Sequence, residues 1–225
     1  MRHFLPSLIL AVACLVLPLA AQGGAANANA DGSILFGDLH FGLSRADALK
    51  LPNAKAGGEG AFATSVTLPA TEYAGHTWDV RLDFVEDMLS RVSLMAAHEP
   101  QRVVDVNNAL SDAGFEMLAI LADKSRLDFI VTLKNEGAKA LQDKIAAIYN
   151  AERVPRRLSY AWFDTSKISR QTKQGVRNLS QFTQVIAADT REVEVTLMGD
   201  GATMTHMLVD FTLPVMEMQA LSKQK

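Results

Sequence analysis

Four histidines lie beyond residue 30, and each of them, His40, His76, His98 and His206, stands alone. No H-x-x-x-H or H-E-x-x-H spacing sets two imidazoles on one helical face, so the sequence offers no metal-ligand set. The serines have neither a G-x-S-x-G elbow nor an S-x-x-K pair, the local patterns that expose or activate a hydroxyl nucleophile. Gly57-Gly58-Glu59-Gly60 has the glycine content of a phosphate loop but not its Lys-Ser/Thr, and reads as a flexible loop. Asp79 and Asp83 share one face of an alternating segment with Arg81 between them. A guanidinium in that position favours ionisation of both carboxylates, whereas acid–base catalysis needs their acidities split, so this face reads as solvated. No catalytic, cofactor-binding or metal-ligating residue is assigned on these patterns, and no cofactor is expected. A site assembled from distant residues stays open.

The one local charge asymmetry is cationic. Arg153, Arg156, Arg157, Lys167, Arg170, Lys173 and Arg177 face only Glu152 and Asp164 in the same interval. On a continuous helix Lys167, Arg170, Lys173 and Arg177 fall near one side, a surface suited to an anionic partner such as lipid head groups, envelope polysaccharide or an acidic protein patch. The alternative is a solvated helix whose cations pair with Glu192 and Glu194 of the following strand. Met198, Met204, Met207, Met216 and Met218 gather late in the chain and suit either core packing or an adaptable apolar groove.

Short elements must position these groups. Ile34 to Phe36 is an apolar run, Ser44 caps a brief helix over residues 45–50 that Pro52 stops, and residues 53–60 read as a loop. Trp78, Val80, Leu82 and Phe84 alternate with polar residues in a half-buried strand, and Leu89, Val92, Leu94 and Ala96 form its return, with Leu89 out of phase as a bulge makes it. A helix follows with Pro100 near its first turn, carries Val103, Val106, Leu110 and Ala113 on one stripe and stops at Gly114. A second hairpin is predicted from residues 115–122 and 127–133. Asn135 is the expected cap of the next helix, whose core face is Ala138, Leu141, Ile145 and Ile148. Leu158, Tyr160 and Trp162 mark another strand, residues 167–185 a polar helical stretch, and residues 193–213 a hairpin turning at Gly199-Asp200-Gly201. Hairpins with single covering helices predict an α+β protein of mostly antiparallel sheets. A boundary near residue 99 divides it into two related halves, 31–98 and 99–225, that stand apart or form one continuous domain.

Residues 1–30 open with Arg2, run uncharged from Phe4 to Ala21 and end in Ala28-Asn29-Ala30, the pattern of a cleaved export signal. Loss of these residues would take away one arginine and no acid, moving the net charge from −3 to −4. A balance that close to neutral excludes bulk attraction to nucleic acid. The one cysteine, Cys14, falls within the leader, so a processed chain has no disulfide and no thiol chemistry; lipidation at Cys14 is the minor alternative. The pattern points to a bacterial periplasm, with no transmembrane anchor after cleavage.

The run Phe41-Gly42-Leu43-Ser44-Arg45-Ala46-Asp47-Ala48-Leu49, followed by Trp78 to Phe84 and Leu89-Ser90-Arg91-Val92, resembles the small envelope domains of the outer-membrane assembly lipoprotein BamE and its beta-lactamase-inhibitor-like relatives. Those domains pair a glycine-and-serine helix start with a strand ending in Phe and a return strand beginning Leu-x-x-Val. The resemblance covers residues 34–97 and implies a non-catalytic binding module. The function expected is that of an exported binding or accessory protein acting on another envelope protein or an anionic or apolar envelope ligand. A hydrolase with a site built from distant residues, and an inhibitor or subunit of a surface complex, are the alternatives. Oligomeric state is not readable.

Overall fold

Strict alternation builds the central strands, and tight turns with backbone in the left-handed region join them. Ala74 and Gly75 have φ of 51° and 76°, and Glu86 and Asp87 have φ of 51° and 65°, the paired positive values of two-residue hairpin turns. The computed structural model describes residues 33–58, 64–166 and 168–222. The leader with Cys14, Glu59, Gly60 and Lys167 lie outside the described residues.

In chain order the strands are β1 (Ile34–Phe36), β2 (Leu39–His40), β3 (Lys55–Ala56), β4 (Val66–Tyr73), β5 (His76–Val85), β6 (Met88–Ala97), β7 (Phe115–Ala122), β8 (Ser125–Asp128), β9 (Arg157–Asp164), β10 (Glu192–Gly199) and β11 (Met204–Thr212). The helices are α1 (Arg45–Ala48), α2 (Pro100–Asp112), α3 (Phe129–Asn135), α4 (Gly137–Tyr149), α5 (Arg170–Gly175), α6 (Leu179–Val185) and α7 (Pro214–Ser222). Among the described residues, nine strands form one antiparallel sheet in the order β3-β4-β5-β6-β11-β10-β9-β7-β8, and β1 and β2 pair separately. The protein is α+β, as the hairpin pattern predicts. The sheet crosses the region of residue 99 through the β6–β11 seam, where Val92, Leu94 and Ala96 face Phe211, Val209 and Met207.

Register puts one face of the sheet in the core. Leu82, Val92, Phe211, Val193 and Trp162 form one cross-strand row on it, and Val80, Leu94, Val209, Val195 and Tyr160 the next, all buried. Ala48 of α1, Val106 and Leu110 of α2 and Leu141 of α4 pack on these rows, and Tyr149 donates a hydroxyl hydrogen bond of 3.0 Å to Tyr160. A smaller apolar cluster lies at one end of the opposite face. There Phe163 and Ala119 meet Val176, Leu179, Phe182 and Ile186, with Phe163 and Phe182 edge to face at 5.3 Å.

Several local predictions hold. Ser44 accepts the Asp47 amide and caps α1, and the β5–β6 register slips between Asp83 and Phe84, where the bulge is predicted. Others are corrected. The strand predicted over 127–133 ends at Asp128, because the Asp128 carboxylate accepts the Val131 amide at 3.1 Å and starts α3, whose Phe129 and Thr132 then bury at helical spacing. Asn135 ends α3 and does not cap α4; the residue before α4 is Glu136, and Ala138 is exposed. Lys55 and Ala56 make a short strand inside the predicted loop 53–60. The helical stretch over 167–185 is two helices broken at residues 176–178, because Asn178 caps a new one by accepting the Gln181 amide.

Candidate functional site

The sheet face turned away from α1, α2 and α4 is polar by register. One cross-strand row runs Arg81, Ser93, Asp210, Glu194, Ala161 and Ala119 from β5 to β7. It is far from fully solvated. Ser93 is 0% exposed and donates to the Asp210 carboxylate at 2.5 Å, and burial pushes that carboxyl above the usual range. Arg81 and Asp83, read from sequence as solvated, are half-buried and pair at 3.0 Å. In the adjacent row Ser159 and Thr196 are buried and bond each other at 2.9 Å. Arg157 ties the two rows together, donating to Ser159 Oγ at 3.0 Å and to Glu194 Oε1 at 2.7 Å. Glu194 thereby has an ion-pair partner.

Small side chains open a cleft beside this network. Ala119, Leu121, Ala161 and Ser159 form its floor, Arg126 of β8 stands on one side and Glu192 with Glu194 of β10 on the other, around about 180 Å³. Glu192 is half-buried where α7 approaches the sheet, near Arg91, which pairs with Glu217 of α7 at 3.5 Å. Burial first, then the neighbouring Glu194 and Glu217, pushes the Glu192 carboxyl up to about 7, against the pull of Arg126 and Arg91. The Glu192 side chain has no hydrogen-bond or ion-pair partner among the described residues, and neither does that of Arg126. A carboxyl poised near neutrality can exchange a proton or accept an ammonium group. Ser159 Oγ is already engaged by Arg157 and Thr196.

A cationic corner adjoins the cleft at the end of β9. Lys124, Arg153, Arg156 and Arg157 surround the β7–β8 turn with Asp123 and Ser125. The acid there is structural: Asp123, at φ 50°, accepts the amides of Arg156 and Arg157 at 2.9 and 3.2 Å and so clamps the loop before β9 onto the turn. Gly199 seals the other side. Its amide donates to Arg156 O at 2.8 Å, and a Cβ there would meet Thr203 O at 2.7 Å and Pro155 O at 3.1 Å, so only glycine fits. Arg157 pairs with Glu194, while Lys124, Arg153 and Arg156 are exposed with no ion pair among the described residues.

The residues singled out from sequence are dispersed. Arg170 is exposed on α5, Lys173 pairs with Glu116 at 2.6 Å, and Arg177 lies between α5 and α6, so no single helical side joins them. Glu116 opens β7 and Asp123 follows its end, which separates the two cationic regions by roughly 20 Å of strand. The expected pairing with Glu192 and Glu194 is replaced by Lys173–Glu116 and Arg157–Glu194. His76 bonds Asp105 at 2.9 Å, holding that carboxyl below its usual range together with Gln101, and burial lowers His98. His206 is exposed beside Thr205. Among the described residues no three His, Cys, Asp or Glu side chains gather as metal ligands, and no helix is long and apolar enough to cross a membrane. Met207 is core, Met204 and Met216 pack against it, and Met198 and Met218 are exposed, so the methionines do not line one groove.

Sequence reasoning missed Arg126, Glu192 and Asp210 because each occupies a polar position in an alternating strand. The readable signal was the small residues at alternate outward positions of the intervening strands, Ala119, Ser159 and Ala161, interrupted by Leu121. No protein family, no curated protein and no solved structure matches this chain.

Proposed function

We propose that this chain is an exported, non-catalytic binding protein of the cell envelope that docks a phosphate-bearing anionic surface on Lys124, Arg153 and Arg156. The observation that carries the reading is the clamped corner: three exposed cations on two loops fixed by Asp123 and Gly199, with no acid pairing them among the described residues. Holding loops rigid before contact lowers the ordering cost of binding, and the guanidinium fork of arginine matches a phosphate in two hydrogen bonds. Export is supported by the leader pattern over residues 1–30, and the envelope setting by the resemblance of residues 34–97 to BamE-like domains. The partner named is an anionic surface because the cations are spread over an open corner, where a single small anion would meet only part of them.

Vesicle co-sedimentation tests this. The protein should bind vesicles containing phosphatidylglycerol, not phosphatidylcholine alone, and lose binding as salt rises above about 0.1 M. With about 1 kcal/mol for each basic side chain near an anionic surface, Lys124→Glu/Arg153→Glu/Arg156→Glu should weaken binding by more than about a hundredfold while leaving the circular dichroism unchanged. Equal sedimentation of this variant removes the assignment. Loss of binding in Arg170→Glu/Arg177→Glu instead would move the docking surface to α5 and the segment after it.

A further inference from the structure

The cleft between β8 and β10 holds two opposite charges that do not satisfy each other. Arg126 and Glu192 belong to strands three spacings apart, about 14 Å between strand axes with β7 and β9 between them, and they lie diagonally across the cleft, because Arg126 stands in the row of Leu121, Ser159 and Thr196, four residues along β10 from Glu192. Ala119, Leu121, Ala161 and Ser159 of those two strands line the space between them, which stays open over about 180 Å³. Nearly every other charge on this face has an internal partner: Arg81 with Asp83, Asp210 with Ser93, Glu194 with Arg157, Arg91 with Glu217. A half-buried carboxyl without a donor is costly, and a ligand that supplies one recovers that cost.

We propose that this cleft binds a small zwitterion, a free amino acid or a dipeptide, with its carboxylate on Arg126 and its ammonium group on Glu192. The volume of about 180 Å³ equals the liquid share of about six waters, which suits a compact molecule of this kind and excludes a folded partner or a long chain. Ser159 and Glu194, already bonded to Arg157, border the site and supply further polar contact without needing to be neutralised. Charges of both signs on facing walls select against simple anions and simple cations, because each of those leaves one wall unpaired. The inference stands apart from the docking corner, which lies beyond Arg157 and uses other side chains.

Calorimetric titration of the purified chain with L-alanine, β-alanine and L-alanyl-L-alanine, alongside acetate and methylammonium, decides the matter. At least one zwitterion should bind, and both half-ligands should bind at least about tenfold more weakly. Arg126→Gln and Glu192→Gln should each lower zwitterion affinity by about tenfold or more. Both are conservative at positions without internal partners, so a cooperative thermal transition no lower than that of the parent shows that the fold is intact. Affinity for L-alanine or β-alanine, whose ammonium groups stay charged throughout, should rise between about pH 5.5 and 8 in the parent and stay flat in Glu192→Gln. The charged groups facing Glu192 are Glu194 of β10, Glu217 of α7, Arg91 of β6 and Arg126 of β8, and the comparison with Glu192→Gln separates the response of Glu192 from theirs. Absence of binding by all three zwitterions at millimolar concentration, equal binding of acetate or methylammonium, or full affinity in both variants each overturns the proposal.

Discussion

Glu192 stores an acid–base asymmetry in the fold. Its carboxyl titrates near 7 when folded and near 4.5 when unfolded, so between those values the folded chain holds a proton that the unfolded chain has released. Stability from this group is therefore greatest at low pH and declines as pH rises through about 7. A shift of that size is worth roughly 3 kcal/mol in full, and water entering the cleft reduces it to about 2 kcal/mol. Glu192→Gln should accordingly unfold at the same denaturant concentration as the parent near pH 4 and be more stable by about 2 kcal/mol at pH 8. Urea unfolding at the two pH values checks this; an unchanged difference between them removes the assignment. Asp210 shifts in the same direction, so the substitution should flatten the pH dependence without abolishing it. None of this was legible in the sequence. Alternation places Glu192, Asp210, Ser93 and Ser159 on an outward face, and outward reads as solvated. α6 covers the Ala119–Phe163 end of that face and Glu217 of α7 stands near Glu192, long-range contacts that a two-residue period does not encode.

Asp128 shows how one side chain redirects an element. Leu127, Phe129, Val131 and Leu133 alternate as a strand should, and β8 does begin on that pattern. One oxygen of Asp128 then accepts the Val131 amide at 3.1 Å, and the other accepts the Leu179 amide at 2.8 Å, so the same carboxylate starts α3 and anchors the first turn of α6. Lys134 completes the tie from the other end of α3, donating to the carbonyls of Gln174 and Val176 where α5 finishes. Asp128→Ala should cost about 2 kcal/mol, a cap plus a charge-assisted hydrogen bond, and Asp128→Asn about half, since it keeps one acceptor oxygen. Chemical denaturation of both variants measures this, and equal losses would mean that the acceptor oxygen kept by asparagine contributes nothing. The helix starts at Ser44 and Pro100 were readable because their signals are local. β4 was not read, since Pro69 sits inside it and is tolerated only where the register with β5 slips between Leu68 and Thr71.

At the scale of the whole molecule, the β6–β11 seam decides whether residues 33–98 and the remainder unfold as one. β5 and β6 belong to the earlier part and β9 to β11 to the later, and seven register pairs from Thr212–Arg91 to His206–Ala97 join them. The core rows pass through that seam without a gap: Val80, Leu94, Val209, Val195 and Tyr160 are all buried side by side. Separating the parts would expose the whole row and an unpaired strand edge on each side, so opening at the seam alone is strongly disfavoured. Two tryptophans stand on opposite sides of it. Trp78 of β5 is 1% exposed and donates to Tyr73 O at 3.0 Å, and Trp162 of β9 is 6% exposed. Trp78→Phe and Trp162→Phe each leave a single reporter, Trp162 or Trp78, for one side of the seam. Each variant should lose fluorescence and circular dichroism at one common midpoint, which is the signature of a single cooperative unit. If fluorescence in either variant moves away from its own circular dichroism transition, the two parts unfold separately. The seam would then be a contact between domains, and the notion of one core running through nine strands would fail with it.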